Sequence, residues 1–500
     1  MPREAIQTET WNHQEPFIWT RNDALNEGPR TKRRRTRRAR RRAALVAGGV
    51  AALLVGGVPL SSVLLPGGRS GPERGGSTLG GQEGAQGQAL SVSGSPLPIR
   101  SGPARGEALN AQVKVPFGSH LRARYRGAVI RPSGQQAGLD QAVVNYYRHW
   151  QSAFVRKPCG HGWTAILAPD AELPYIGEAQ GWGLVITALM AGADPQAQTQ
   201  FDGILRYVLA HPSTIDHDLH AAEQNDRCES VNGGDSATDA DLDIAYGLLL
   251  AADQWGNQGA YDYRDLALRR ITAIKRSLVQ PQTHLLLAGD WARDGDDEVS
   301  RISRSSDWML DHFRAFRAAS GDPFWDSVLD AHQRLITRLQ AEYAPQTGLL
   351  PDFVVGVQGV PHPAKGEILE SAHDGAFWWN ACRVPWRIGT DAVLSGDPRS
   401  MAAAAALNQF ARSTSGDDPR RIRAGYSLRG RALTNDLEPA FVVPFAVPAM
   451  LDRNGQQWID AQWHYLTTTP IGKDSYYPAT IGLQVMLLLT GNWFSPGAPH

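Results

Sequence analysis

Ser236-Ala-Thr-Asp-Ala-Asp-Leu-Asp-Ile-Ala-Tyr246, running on as Gly-Leu-Leu-Leu-Ala-Ala-Asp-Gln-Trp255, sets three carboxylates at the opening of an apolar segment. Leu242, Ala245, Tyr246, Leu249 and Leu250 recur at helical spacing, so a helix over 239–255 buries one stripe. Ser236, Thr238 and Asp239 are all good N-cap residues, and acids in a first turn suit the helix dipole. Capping needs one acid, however, and here Asp239, Asp241 and Asp243 stand beside a run that must be buried. A helix start that keeps acids at the edge of a core is a place for a cleft carboxylate. A well-capped core helix is the plainer alternative.

Around this stretch the chain reads as helix after helix. Ala142–Phe154 carries Val143, Val144, Tyr146, Tyr147 and Trp150 on one face, and Trp325–Tyr343 carries Val328, Leu329, His332, Leu335, Ile336 and Leu339. Further helices are predicted over 178–191, 200–210, 264–278, 306–319, 387–394, 400–413, 438–451 and 480–490. About a dozen helices, joined by long Gly-, Pro- and Trp-bearing loops with few convincing strands, predict an all-α toroid of helical hairpins. Loops at one rim must then form the site.

Three blocks in order resemble glycoside hydrolase family 8. The stretch above resembles its signature, Ile176-Gly-Glu178-Ala-Gln180-Gly-Trp182-Gly its Glu-x-Gln-x-(Tyr/Trp)-Gly segment, and Asn380-Ala-Cys-Arg383-Val-Pro-Trp386-Arg387 its third block. Family-like sequence spans 110–495. The resemblance implies an (α/α)6 barrel and inverting, endo-acting cleavage of a β-1,4-linked polysaccharide, namely cellulose or mixed-linkage β-glucan. It implies Glu178 as general acid and Asp239 as the residue that binds and distorts the sugar at the cleavage point. One branch of the family has an Asp base where this chain has Asn380, whose amide has no useful basicity. The chain resembles the other branch, which recruits a Glu from a loop just upstream. Within 361–375 that makes Glu370 the expected base, with Glu367 and Asp374 as runners-up. Inverting chemistry itself asks for one protonated carboxyl beside the leaving oxygen and one carboxylate that activates a water opposite.

Substrate contacts are expected from Asn380 and Arg383, with Arg387 read equally as a structural ion pair. Asp307, in Ser303-Arg-Ser-Ser-Asp307-Trp308, is expected near the cleft. Trp182, Trp308, Phe377, Trp378, Trp379 and Trp386 are candidate sugar platforms, half of them expected to be core. His211, His217 and His220 with Asp216 and Asp218 match no trusted ligand spacing, so neither metal nor cofactor is expected.

Charge and composition bound the partners. The 500 residues hold 50 Lys/Arg and 50 Asp/Glu, but residues 1–43 hold 12 basic against 5 acidic side chains, leaving 38 basic and 45 acidic in the rest. A mildly acidic folded part argues against nucleic acid. The basic run 32–42 precedes Ala43–Leu65, an uncharged stretch long enough to span a bilayer. The expected organisation is therefore a cytoplasmic tail over 1–42, a transmembrane anchor or signal segment over 43–65, a Gly/Ser/Pro-rich linker over 66–107 and a catalytic domain over 108–500. The lack of a clear small-x-small cleavage site favours an uncleaved anchor, with a cleaved signal, such as one of twin-arginine type, as the competing reading. Both put the catalytic domain outside the cell, on the membrane or secreted, and a monomer is expected. Cys159, Cys228 and Cys382 allow one internal disulfide at most. A chitosanase on the same scaffold and a non-catalytic glycan-binding protein are the alternative functions.

Overall fold

Helices that are apolar all round belong inside a protein, and helices with one apolar stripe belong against them. The computed structural model describes residues 113–497 apart from Arg124 and Asp296, and sorts the helices by that rule. The tail, anchor or signal segment and linker lie outside the described residues. Among the described residues no helix is long and apolar enough to cross a membrane.

Six inner helices or helix pairs are mostly buried. They are α2 (Gly177–Leu189), α4 (Thr238–Trp255), α6 (Leu310–Ser320), α8 (Val384–Ser395), the broken pair α10 (Pro439–Val442) and α11 (Ala446–Ala449), and α13 (Tyr476–Leu489). Every residue of α2 is buried except Glu178, and every residue of α13 except Pro478. Consecutive members pack side by side, and α13 packs back on α2, which closes the ring. Outside lie α1 (Gln136–Phe154), α3 (Ala197–Ala210), α5 (Tyr263–Ser277), α7 (Phe324–Tyr343), α9 (Pro398–Ser415) and α12 (Gln456–Thr468), alternating with the inner helices along the chain. On α7 the buried side includes Trp325, Val328, Leu329, His332, Leu335, Ile336 and Leu339, the stripe its sequence predicts. The fold is an (α/α)6 barrel.

Several boundaries differ from the sequence reading. The helix expected over 438–451 is two short helices around a 3-10 turn at Val443–Phe445, because Pro444 and Pro448 bring no N–H to the ladder. The helix expected from 306 starts at Leu310, since Ser305–Asp307 forms a separate 3-10 turn. The helix α12 has no counterpart in the sequence reading. Seven short strands occur in the described residues: β1 (Val155–Arg156) with β2 (Ala165–Ile166), β3 (Tyr175–Ile176) with β4 (Glu223–Gln224), and β5 (Ile302–Arg304), β6 (Phe353–Val355) and β7 (His362–Pro363) in one sheet. All pairs are antiparallel. β3 leads directly into α2, and β5 stands just ahead of α6, so these strands position helix starts. A disulfide joins Cys159 to Cys228, and Cys382 is buried, its Sγ 3.1 Å from the Trp379 carbonyl oxygen.

The α2–α4 contact is close because glycine makes it so. A Cβ on Gly181 would stand 2.9 Å from the Asp243 Cβ and 3.0 Å from the Ala240 carbonyl oxygen, and one on Gly247 2.9 Å from the Leu184 Cβ. Gly181→Ala should therefore push the two helices apart and cost about 1–3 kcal/mol in urea unfolding. Gly138→Ala on α1, where a Cβ meets nothing within 4 Å, should be neutral or stabilising by up to about 1 kcal/mol. Equal effects at the two sites would refute this account of the contact.

Candidate active site

One cleft lies where the inner helices begin. Glu178, Asp239, Arg304, Glu370, Asn380 and Arg383 line it, with Tyr476 and Tyr477 from the start of α13 and with Asp170, Glu223 and Trp291. Glu178 is in the first turn of α2, Asp239 in the first turn of α4, and Arg383 ends the 3-10 turn that opens α8.

The three acids of the opening stretch point three ways. None caps α4: its N-cap is Ala237, with no side-chain cap bond, and the Thr238 hydroxyl donates instead to the Leu287 carbonyl at 2.6 Å. Asp239 faces the cleft. Asp243, four residues on and so on the same side one turn deeper, is fully buried. Its Oδ1 accepts from His312 Nε2 (2.9 Å) and Arg387 Nη1 (3.1 Å), and its Oδ2 from Trp182 Nε1 (3.0 Å) and Arg387 Nη2 (2.5 Å). Burial opposes the charge on Asp243, yet Arg387 and His312 outweigh it and hold the carboxyl below its usual range. Asp241, between them in sequence, faces the other way, pairing with Arg270 of α5 and accepting the His220 N–H at 3.0 Å. Burial pushes its pKa up to about 7 despite Arg270.

Two guanidinium groups tie the cleft acids together. Arg383 Nη1 reaches Glu178 Oε2 at 2.5 Å and Asp239 Oδ2 at 3.1 Å, while its Nη2 donates to Asn380 Oδ1 at 3.2 Å. Arg304 Nη1 lies 3.3 Å from Asp239 Oδ2 and 3.7 Å from Asp307 Oδ1, and its Nη2 lies 3.7 Å from Glu370 Oε1. Asn380 Nδ2 donates to Glu370 Oε2 at 2.9 Å and to Asp352 Oδ2 at 3.2 Å. Asp352 Oδ1 also accepts the N–H groups of Trp378, Asn380 and Ala381, which fixes the turn that carries Asn380. Burial pushes Asp307 up to about 7, against the pull of Arg304.

Among the loop acids the structure separates three roles. Glu370 is buried and lines the cleft. Glu367 is exposed on the loop surface. Asp374 is fully buried and organises the loop: its carboxylate accepts the N–H groups of Ile368, Leu369, Glu370 and Ser371 at 2.7–3.0 Å.

The aromatic expectations need correcting. Trp182 and Trp308 show no exposed surface and do not line the cleft. Trp182 packs on Trp386, Tyr476 and Tyr477 and donates to Asp243, and Trp308 donates to the Ser303 hydroxyl at 2.9 Å. Phe377, Trp378 and Trp386 are core as well. Only Trp379 of the six keeps partial exposure, packed edge-on against Phe441, and it stands beside the cleft residue Tyr477 rather than in the lining. Asp307 is fully buried behind Arg304, so it acts on the cleft through that side chain. The cleft aromatics Trp291, Tyr476 and Tyr477 went unread in the sequence, as did Arg304 and Asp352. Arg304 had one signal: it is an arginine inside the quoted 303–308 segment, at the end of β5. The histidine cluster braces a loop. His211 ring nitrogens lie 2.7 Å from the Tyr207 and Cys228 carbonyl oxygens, and Asp216 pairs with Arg276.

Comparison with known proteins matches this chain to the family model of glycosyl hydrolases family 8 over residues 138–491. A beta-glucanase of Niallia circulans is 37% identical over 381 residues, covering 76% of this chain and 91% of its own length. An endoglucanase of Bacillus sp. (strain KSM-330) is 35% identical over 386 residues, covering 75% and 81%. The apo structure of a beta-1,3-1,4-glucanase from Paenibacillus sp. X4 superposes with a TM-score of 0.72 at 36% identity, covering 76% of this chain and 99% of that one. The cleft acids therefore belong to a glycoside hydrolase, and the chain is a member of glycosyl hydrolases family 8.

Proposed function

We propose that this glycoside hydrolase is an endo-acting β-glucanase that works with inversion, with Glu178 as acid and Glu370 as base. The observation that carries the reading is the bond from Asn380 Nδ2 to Glu370 Oε2. An amide at 380 cannot take a proton from water. It can orient a neighbouring carboxylate that does, and its own oxygen is held by Arg383, the partner of Glu178. In the proposed reaction the Glu178 carboxyl gives its proton to the glycosidic oxygen as the C1–O bond breaks. A water on the other face attacks C1 and passes its proton to Glu370, and the product is the α-anomer. Asp239, held by Arg383 and Arg304, binds hydroxyls of the distorted sugar.

Electrostatics supports a stored proton. Around Arg304 and Arg383 stand Glu178, Asp239, Asp307 and Glu370, two cations against four carboxyls. Like charges crowded in a partly buried cluster disfavour full ionisation, and burial pushes Asp307 up to about 7. The glucanase activities named for the similar proteins support β-glucan over chitosan. The same reading places the enzyme outside the cell, anchored or secreted, and the Cys159–Cys228 disulfide supports that setting.

Reducing-end release on lichenan, carboxymethylcellulose and chitosan, assayed in parallel, should show the two glucans cleaved and chitosan not; chitosan as the best substrate would reverse the choice. Glu178→Gln should lower kcat on the glucans by about 10²–10⁴ with its urea midpoint unchanged, and retained hydrolysis would sink the assignment. Glu370→Ala should lose activity that azide restores as the α-glycosyl azide; rescue of Glu367→Ala or Asp374→Ala in its place would move the base. Asp307 adds a pH effect. Its folded pKa, about 7, lies above the unfolded value, so wild-type stability falls as pH rises from about 4 through 7. Asp307→Asn lacks that loss, so its Tm relative to wild type should rise between pH 5 and pH 8. A difference independent of pH would contradict the raised pKa.

A further inference from the structure

Three of the cleft residues stand one helical turn above members of a single buried cluster. Trp182 follows Glu178 by four positions on α2, Asp243 follows Asp239 by four on α4, and Arg387 follows Arg383 by four into α8. Four positions are roughly 6 Å of rise with nearly the same direction from the axis. The upper layer therefore has a lower copy: the Arg383–Asp239 contact above, and the Arg387–Asp243 contact below.

The lower layer is the more constrained one. Each oxygen of Asp243 accepts two hydrogen bonds, and the four donors come from α2, α6 and α8. No member of this set is exposed to more than a trace: Trp182, Asp243 and Arg387 are 0%, 0% and 2% accessible. A carboxylate saturated in this way cannot follow one helix without stretching its bond to another. The relative heights of α2, α4 and α8 are thus set at Asp243. The close α2–α4 approach at Gly181, against the Asp243 Cβ, leaves no slack on the remaining side.

We infer that Asp243, with Trp182 and Arg387, is a positioning cluster for the proton donor: it sets the height of Glu178 against Asp239 and Arg383, and so the aim of its proton at the glycosidic oxygen. The inference rests on the reading of Glu178 as the acid. A merely stabilising ion pair would change how much protein is folded, or slow all substrates alike. A positioning cluster slows the step that needs the proton.

That difference can be read with two substrates on the full chain. Lichenan has a leaving group that needs protonation, whereas 2,4-dinitrophenyl β-cellotrioside has one that leaves without it. Trp182→Phe removes one donor to Asp243 and keeps an aromatic ring against Trp386, Tyr476 and Tyr477. Per folded molecule, it should lose about tenfold in kcat on lichenan with KM within about twofold, and stay within about twofold on the dinitrophenyl substrate. Arg387→Lys, which keeps the charge and loses the two-pronged contact, should show the same split and serves if Trp182→Phe does not fold. Equal losses on both substrates, no loss on lichenan, or failure of both variants to fold would each overturn the inference. Glu178→Gln, run alongside, tells the two readings apart. If it keeps lichenan hydrolysis, the acid assignment fails; if it loses lichenan selectively while Trp182→Phe does not, only the positioning cluster fails.

Discussion

A carboxylate buried at the centre of a ring of helices is costly unless its lone pairs are filled, because transfer from water strips several kcal/mol of hydration from the ion. Asp243 meets that demand with a bidentate arginine, an indole N–H and an imidazole. The need is one-sided in a useful way. An apolar contact between two helices tolerates sliding, since dispersion is soft and undirected. Four directed bonds to one charged group do not. The barrel wall could be built from Leu, Val and Ala alone, but such a wall would leave the helix starts free to shift by fractions of an ångström. The ion at Asp243 removes that freedom where the cleft lies one turn above.

The cleft itself exploits the helix ends. Inner helices begin at the same rim, so their unpaired N–H groups and the positive ends of their dipoles gather there. That field favours carboxylates, and the rim duly holds Glu178 and Asp239 in first turns. Left alone, such acids would all ionise. Two guanidinium groups, Arg304 and Arg383, stand among them, and burial pushes Asp307 upward. The dipoles and arginines make charge tolerable at the rim, while burial favours the neutral form of Asp307 behind it.

Much of this was legible in the residues. Most of the helix pattern, α12 excepted, follows from apolar stripes and from runs apolar all round, and the acids at 178, 239 and 370 stand in recognisable local patterns. What failed was direction. Trp182 lies four residues past a cleft acid, yet on an inner helix the residue four further on lies below the cleft floor, and Trp308, next to the buried Asp307, packs into the core ahead of α6. Periodicity gives the angle around a helix axis but not the depth at which cleft gives way to core. Nor could spacing along the chain reveal Arg304 or Asp352, whose roles arise from β5 and β6 lying side by side, a pairing across about fifty residues. The N-cap reading of the opening stretch failed for a similar reason. Ser236 and Thr238 found partners in the 287–290 segment, far in sequence, rather than in their own first turn.

Asn380 shows how tightly residue choice and site are coupled. Its amide donates to two carboxylates, Glu370 at 2.9 Å and Asp352 at 3.2 Å, while its oxygen accepts from Arg383. A carboxylate in its place could accept the arginine but would face two like charges with nothing to donate, at a separation where repulsion in a partly buried setting amounts to several kcal/mol. Either the new acid or Glu370 would then be driven to take up a proton. An amide at 380 suits a loop that carries Glu370, because it can donate to that carboxylate and to Asp352 while its oxygen accepts from Arg383.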